Sequence, residues 1–226
     1  MAIAAVLLFG SRAREDQMRG SDTDILLVTD DGQPRHVSIG HLSMFFYPWA
    51  KLQADAYAGD LFVCHIVREA KAVFDPEERL QSLRDAFKLR SSYQIEIDHA
   101  VDLGWFLVRY GADINPALVA KRMIWCLRTI LIARSAEASQ PVFAPNALAN
   151  FSHSEPAREL LSERHSRKAD RRMRYLFQRF LLDEGLSDEF HANATSDDYT
   201  ERFRMRANKV ALQTFEQQHR SQLAYA

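Results

Sequence analysis

The sequence predicts an α+β chain: a mixed α/β unit over residues 1–76, followed by an all-α helical bundle over residues 77–226. Two observations carry this reading. In the first third, short apolar runs bounded by Gly, Pro and Asp alternate with helical patterns. From Pro76 onward the strand signals stop, and apolar residues recur at three- and four-residue spacing in long segments. A length of 226 residues leaves room for two such units.

The elements follow in order. Ile3–Phe9 is an apolar run that reads as a buried strand. A polar turn and a short helix come next, then a second strand over 24–28. Gly32 and Pro34 mark a turn, and 37–46 reads as one extended stretch. Trp49–Tyr57 is helical in pattern, 61–67 is apolar enough for another strand, and Asp75-Pro76 closes the unit. In the second unit, Leu80, Leu83 and Phe87 share a helical face, as do Ile97, Val101 and Trp105, and later Val119, Met123, Cys126, Leu127 and Ile130. Asn115-Pro116 starts one of these helices, because proline suits the first helical turn. Pro141 and Pro145 punctuate a loop, and further helices run from Ser154.

Composition narrows the function classes. With 47% hydrophobic and 26% charged residues the chain has the balance of a soluble globular protein. A net charge of -1 gives no global attraction to nucleic acid or anionic membrane, so any such role must rest on local patches. Cys64 and Cys126 offer neither a CxxC pair nor a disulfide framework. The apolar opening lacks a basic leader and is too short to span a bilayer. Reduced thiols and a cytoplasmic setting are expected, without a membrane anchor.

The informative stretch is Phe9-Gly10-Ser11-Arg12-Ala13-Arg14, followed after ten intervening residues from Ser11 by Asp22-Thr23-Asp24-Ile25-Leu26. Glycine directly after a buried strand lets the backbone turn tightly and approach a ligand. Serine at the start of the following helix offers a hydroxyl and amides where phosphate is favoured. Asp22 and Asp24, two residues apart in an extended segment, project from one face while Thr23 points away. Two carboxylates beside a phosphate seat suit Mg²⁺ and phosphoryl-group chemistry, since Mg²⁺ is held by few carboxylates plus substrate phosphates.

The Gly-Ser, ten-residue, Asp-x-Asp spacing resembles the signature of the DNA polymerase beta-like nucleotidyltransferase superfamily, particularly its minimal nucleotidyltransferase branch. The resemblance implies a mixed sheet with flanking helices, a nucleoside triphosphate contacted by Ser11, and divalent metal bound by Asp22 and Asp24. Residues 59–65, 69–75 and 121–133 resemble later parts of such proteins, in some of which a helical domain closes the cleft. The implied reaction is Mg²⁺-dependent transfer of a nucleoside monophosphate to a protein, tRNA or small-molecule acceptor. Gly10, Ser11 and Arg12 would seat the triphosphate.

The chain departs from the family pattern in three places. A third carboxylate is usual on the strand after Asp-x-Asp, but 36–40, where it is expected near Ser38, holds no acid. Asp55, Asp60 and Glu69 are later acids without an assignable role. Glu15 stands where glycine is commonest, either near incoming phosphates or facing solvent. The chain also begins almost at its first strand, which leaves either a trimmed domain or an edge covered by a second copy or a partner protein. The missing acid keeps a second reading open: an inactive fold that binds nucleotide or a partner protein, as in toxin-antitoxin or defence regulation.

Other features have competing readings. Arg12 and Arg14 either reach triphosphate oxygens or lie exposed on the helix. Arg158 and His165 match the spacing of the Arg-x(4 to 6)-His motif of HEPN ribonucleases, a pattern that arises easily by chance. Residues 158–179 hold eight Lys or Arg against three acids, which suits either an RNA-binding patch or a solvated helix face. Trp105 and Trp125 read as core residues.

Overall fold

The computed structural model describes residues 2–18, 20–164, 169–190 and 193–223. They divide into two compact units, Met1–Ser92 with Ala136–Ala144, and Tyr93–Ser135 with Pro145–Ala226.

The first unit is built on β1 (Ile3–Phe9), α1 (Ser11–Arg14), β2 (Thr23–Thr29), β3 (Arg35–Ile39), β4 (Leu42–Pro48), α2 (Trp49–Tyr57), α3 (Leu61–Glu69), β5 (Lys71–Phe74) and α4 (Arg79–Ala86). Among the described residues the strands form one five-stranded mixed sheet in the order β3-β4-β2-β1-β5. β2 runs parallel to β4; the other neighbours are antiparallel. Alternation sets the faces. Ala5, Leu7 and Phe9 of β1 join Leu26 and Val28 of β2 in a buried cluster, which α2, α3 and α4 cover with Leu52, Ala56, Val63, Ile66, Val67, Leu80 and Leu83. Because Leu80 and Leu83 bury there, the unit runs past residue 76.

Two segments differ from the sequence reading. The apolar run at 61–67 is helix α3, not a strand. Its β-branched residues favour extended backbone, but Gly59 turns the chain at φ 66° and the Asp60 carboxylate accepts from the Phe62 and Val63 amides at 2.8 and 3.1 Å. That N-cap starts a helix whose buried Val63, Ile66 and Val67 follow helical spacing. Asp60→Ala is expected to lower stability by about 1 kcal/mol, read as a lower urea midpoint with an unchanged slope. The second difference lies at 37–46, where Gly40-His41 breaks the stretch into a hairpin. Gly40 takes φ 58°, which a two-residue hairpin turn requires.

The second unit is helical: α5 (Gln94–Tyr110), most of α6 (Pro116–Glu137), α7 (Pro145–Phe151), α8 (Glu155–Ser162), α9 (Arg171–Asp183), α10 (Ser196–Met205) and α11 (Lys209–Leu223). The Asn115 side chain caps α6 through the Ala117 and Leu118 amides. Gly104 of α5 lets α9 approach, since an added β-carbon would lie 3.2 Å from the Phe177 ring. Phe106, Tyr199 and Phe203 form an aromatic core. Trp105 is buried, with its indole N–H donating to the Leu186 carbonyl at 3.0 Å, whereas Trp125 is half-buried.

Candidate active site

β1 ends at Phe9, and the next residue makes the turn. Gly10 sits at φ 72°, ψ -154°, a region essentially reserved for glycine, and its carbonyl accepts from the Ala13 and Arg14 amides at 3.1 Å. α1 is one turn long, so Ser11 offers the amides and hydroxyl of a turn rather than the field of a long helix. A β-carbon at Gly10 would lie 2.6 Å from Asp24 Oδ2, so the carboxylate lies directly against the glycine backbone. Register explains this: Phe9 at the end of β1 is opposite Asp24 on β2.

The row continues across the sheet. Asp24 is in register with Ser43 of β4, and Ser43 with Ser38 of β3. Directly opposed residues share a face, so Phe9, Asp24, Ser43 and Ser38 form one row. Ser43 therefore holds the place beside Asp24. The sequence reading put that place near Ser38, one strand too far out, because β3 is the edge strand and β4 lies between it and β2.

Asp22 precedes β2 and is exposed; its carboxylate accepts from His41 Nδ1 at 3.2 Å when that nitrogen is protonated. The hairpin tip is docked there by its backbone, with the Thr23 amide donating to the His41 carbonyl at 2.7 Å. Arg12 is exposed and donates to the Ser21 carbonyl at 3.3 Å, tying α1 to the loop that delivers Asp22. Arg14 is engaged elsewhere, bonded to Asp16 and to Glu69, which also pairs with His65 at 2.7 Å.

The remaining acids have partners of their own. Asp55 meets Lys51 and the Tyr47 hydroxyl, and burial together with Asp55 pushes the Tyr47 pKa up to about 12. Asp60 caps α3. Glu15 is exposed and pairs with Lys71 at 2.6 Å, which holds its carboxyl below the usual range. Glu15 also sits at φ 66°, and this explains why glycine suits the position. Glu15→Gly is expected to stabilise the unit, because relief of left-handed backbone outweighs an exposed ion pair. A thermal melt that falls instead would refute it.

Among the described residues no group of three or more His, Cys, Asp or Glu side chains is placed to hold a metal ion. Asp22 and Asp24 remain as carboxylate donors, a set that suits Mg²⁺ when substrate phosphates complete the shell. In the helical unit, Arg172 pairs with Glu159 and Glu163, and Arg179 with Asp183. Tyr175 there is exposed while Phe177 is buried. His165 lies outside the described residues. Sequence reasoning missed Ser43 and His41 as neighbours of the acids; the Gly40-His41 turn between two alternating runs was the signal for them.

Among the described residues no helix is long and apolar enough to cross a membrane. No curated protein matches the chain. It is similar to the solved structure of a nucleotidyltransferase-like protein from Exiguobacterium sibiricum 255-15, at 14% identity and a TM-score of 0.34, with 81% of this chain and 67% of that one covered. Residues 2–99 match the nucleotidyltransferase domain family, a span that takes in the whole sheet. The part of the chain that carries the Gly10 turn and both acids lies inside the span that matches this family.

Proposed function

We propose that the chain is a Mg²⁺-dependent nucleotidyltransferase that moves a nucleoside monophosphate from a nucleoside triphosphate to an acceptor and releases pyrophosphate. The observation that carries this reading is the close approach of the Asp24 carboxylate to the Gly10 backbone, which brings a tight glycine turn against an acid. Asp22 and Asp24 would hold the ion, which when bound neutralises charge developing on the transferred phosphoryl group. Ser11 and the turn after Gly10 would seat the triphosphate by hydroxyl and amide donation. Arg12 would face the same phosphates while its bond to Ser21 fixes the loop before Asp22. The acceptor is a protein hydroxyl, a tRNA end or a small molecule in a cytoplasmic setting.

A second reading is favoured by one observation: a hydroxyl, Ser43, and not an acid, stands beside Asp24 in the sheet. In it the domain binds nucleotide or a partner protein without turnover, as a toxin-antitoxin or defence component. The deciding experiment incubates the protein with Mg²⁺ and each labelled nucleoside triphosphate, using total tRNA and a cell-protein extract as acceptor pools. Pyrophosphate release or labelled product supports the transferase. No turnover in any pool, with Asp22→Ala and Asp24→Ala leaving the biological effect intact, sinks it.

A further inference from the structure

We infer that His36 accepts the proton of the acceptor hydroxyl in this chain, beside Ser43, the hydroxyl residue in register with Asp24. The inference rests on the transferase reading above.

Three observations place the imidazole there. His36 Nε2 lies 3.3 Å from Ser43 Oγ and 3.1 Å from Ser38 Oγ. Its ring stacks on Phe45, centroids 4.3 Å apart and planes 20° from parallel. Phe45 is itself fixed between Phe9 and Phe62. The ring is thus held from below by an aromatic face and at its edge by two hydroxyls, yet His36 is exposed on the edge strand and open to an incoming acceptor. Ser43 is one strand spacing from Asp24, about 4.8 Å, so Nε2 bonds to the residue that stands beside the acid that would hold metal.

The chemistry suits an imidazole. With Nδ1 protonated and Nε2 bare, a serine hydroxyl donates to the single Nε2 lone pair, and an acceptor hydroxyl can take its place. As the acceptor oxygen bonds to the α-phosphorus, its proton passes to Nε2. The bond from the α-phosphorus to the bridging oxygen breaks, and pyrophosphate leaves with that electron pair. The exposed imidazolium then returns its proton to solvent. A neutral imidazole is a base suited to taking the proton of a hydroxyl. The charged groups on this part of the sheet are Asp24 on β2, the Asp22–His41 pair at the hairpin tip and, on its own strand, Arg35 over the Phe46 ring.

The test compares wild type, His36→Gln, Ser43→Asp and the double variant, measuring pyrophosphate release from the four nucleoside triphosphates between pH 5 and 9, with total tRNA and cell-protein extract as acceptors. The expected wild-type rate falls on the acid side as an imidazole protonates. His36→Gln is expected to lose about 10²-fold and that acid limb together. Ser43→Asp in the His36→Gln background is expected to recover at least about ten-fold, with the limb moved toward the carboxylate range near about 4. A purely structural role for His36 would produce neither the lost limb nor the rescue. An active wild type whose rate and limb survive His36→Gln overturns the inference and leaves the transferase standing. A silent wild type beside an active Ser43→Asp overturns both for the natural chain, and silence of all four removes the competence of the site itself.

Discussion

Asparagine in place of Asp24 is expected to slow nucleotidyl transfer by about 10³-fold, equivalent to about 4 kcal/mol of transition-state stabilisation. The size follows from position. Asp24 is the acid that lies against the Gly10 turn and heads the polar row across the sheet. Asparagine keeps the shape but removes the charge that would hold Mg²⁺ and offset the transferred phosphoryl group. Asp22→Asn is expected to cost less, about 10²-fold, because that carboxylate is exposed and shares its charge with His41. Thr23 supplies the control. It lies between the two acids on the opposite face of the strand, so Thr23→Val should leave turnover within about two-fold. Single-turnover pyrophosphate release gives the rates, and matching thermal melts show that folding is intact. Equal losses at Asp24 and Thr23 would mean that the strand, not the carboxylate, matters.

The legible part of this site was local. A glycine ending an apolar run, a serine after it and two acids separated by one residue are all short-range features: Gly10 lies between β1 and α1, Ser11 opens α1, Asp22 directly precedes β2 and Asp24 is on it. What was hidden depends on which strand lies beside β2. In chain order β3 follows β2, but the Gly40-His41 turn folds β4 back between them, so the neighbour of Asp24 is Ser43 and not Ser38. Sheet order is a non-local property that a run of apolar residues does not reveal. The misread at 61–67 has a different origin. Leu-Phe-Val-Cys-His-Ile-Val suits a buried strand and a buried helix face equally, and only the Gly59-Asp60 cap separates them. The helical unit was easier, because long segments with three- and four-residue spacing have no strand alternative.

Alanine at Gly10 is expected to damage both folding and turnover, for two separable reasons. The first is backbone: φ 72° with ψ -154° is a conformation that a residue with a β-carbon holds only at a cost of about 1–3 kcal/mol. The second is contact: the new methyl would arrive 2.6 Å from Asp24 Oδ2, so the carboxylate must swing away from the row. Stability should therefore fall in urea titrations by more than the backbone part alone, and transfer should fall nearly as far as in Asp24→Asn. A double-mutant cycle separates the two causes. With Asp24→Ala as background the clash disappears, and the stability cost of Gly10→Ala should shrink to the backbone part alone. Neighbouring residues that share one contact are non-additive, so the sum of the single losses should exceed the loss of the pair. If the two substitutions add instead, the carboxylate does not rest against Gly10, and the argument that ties the turn to the acid fails with it.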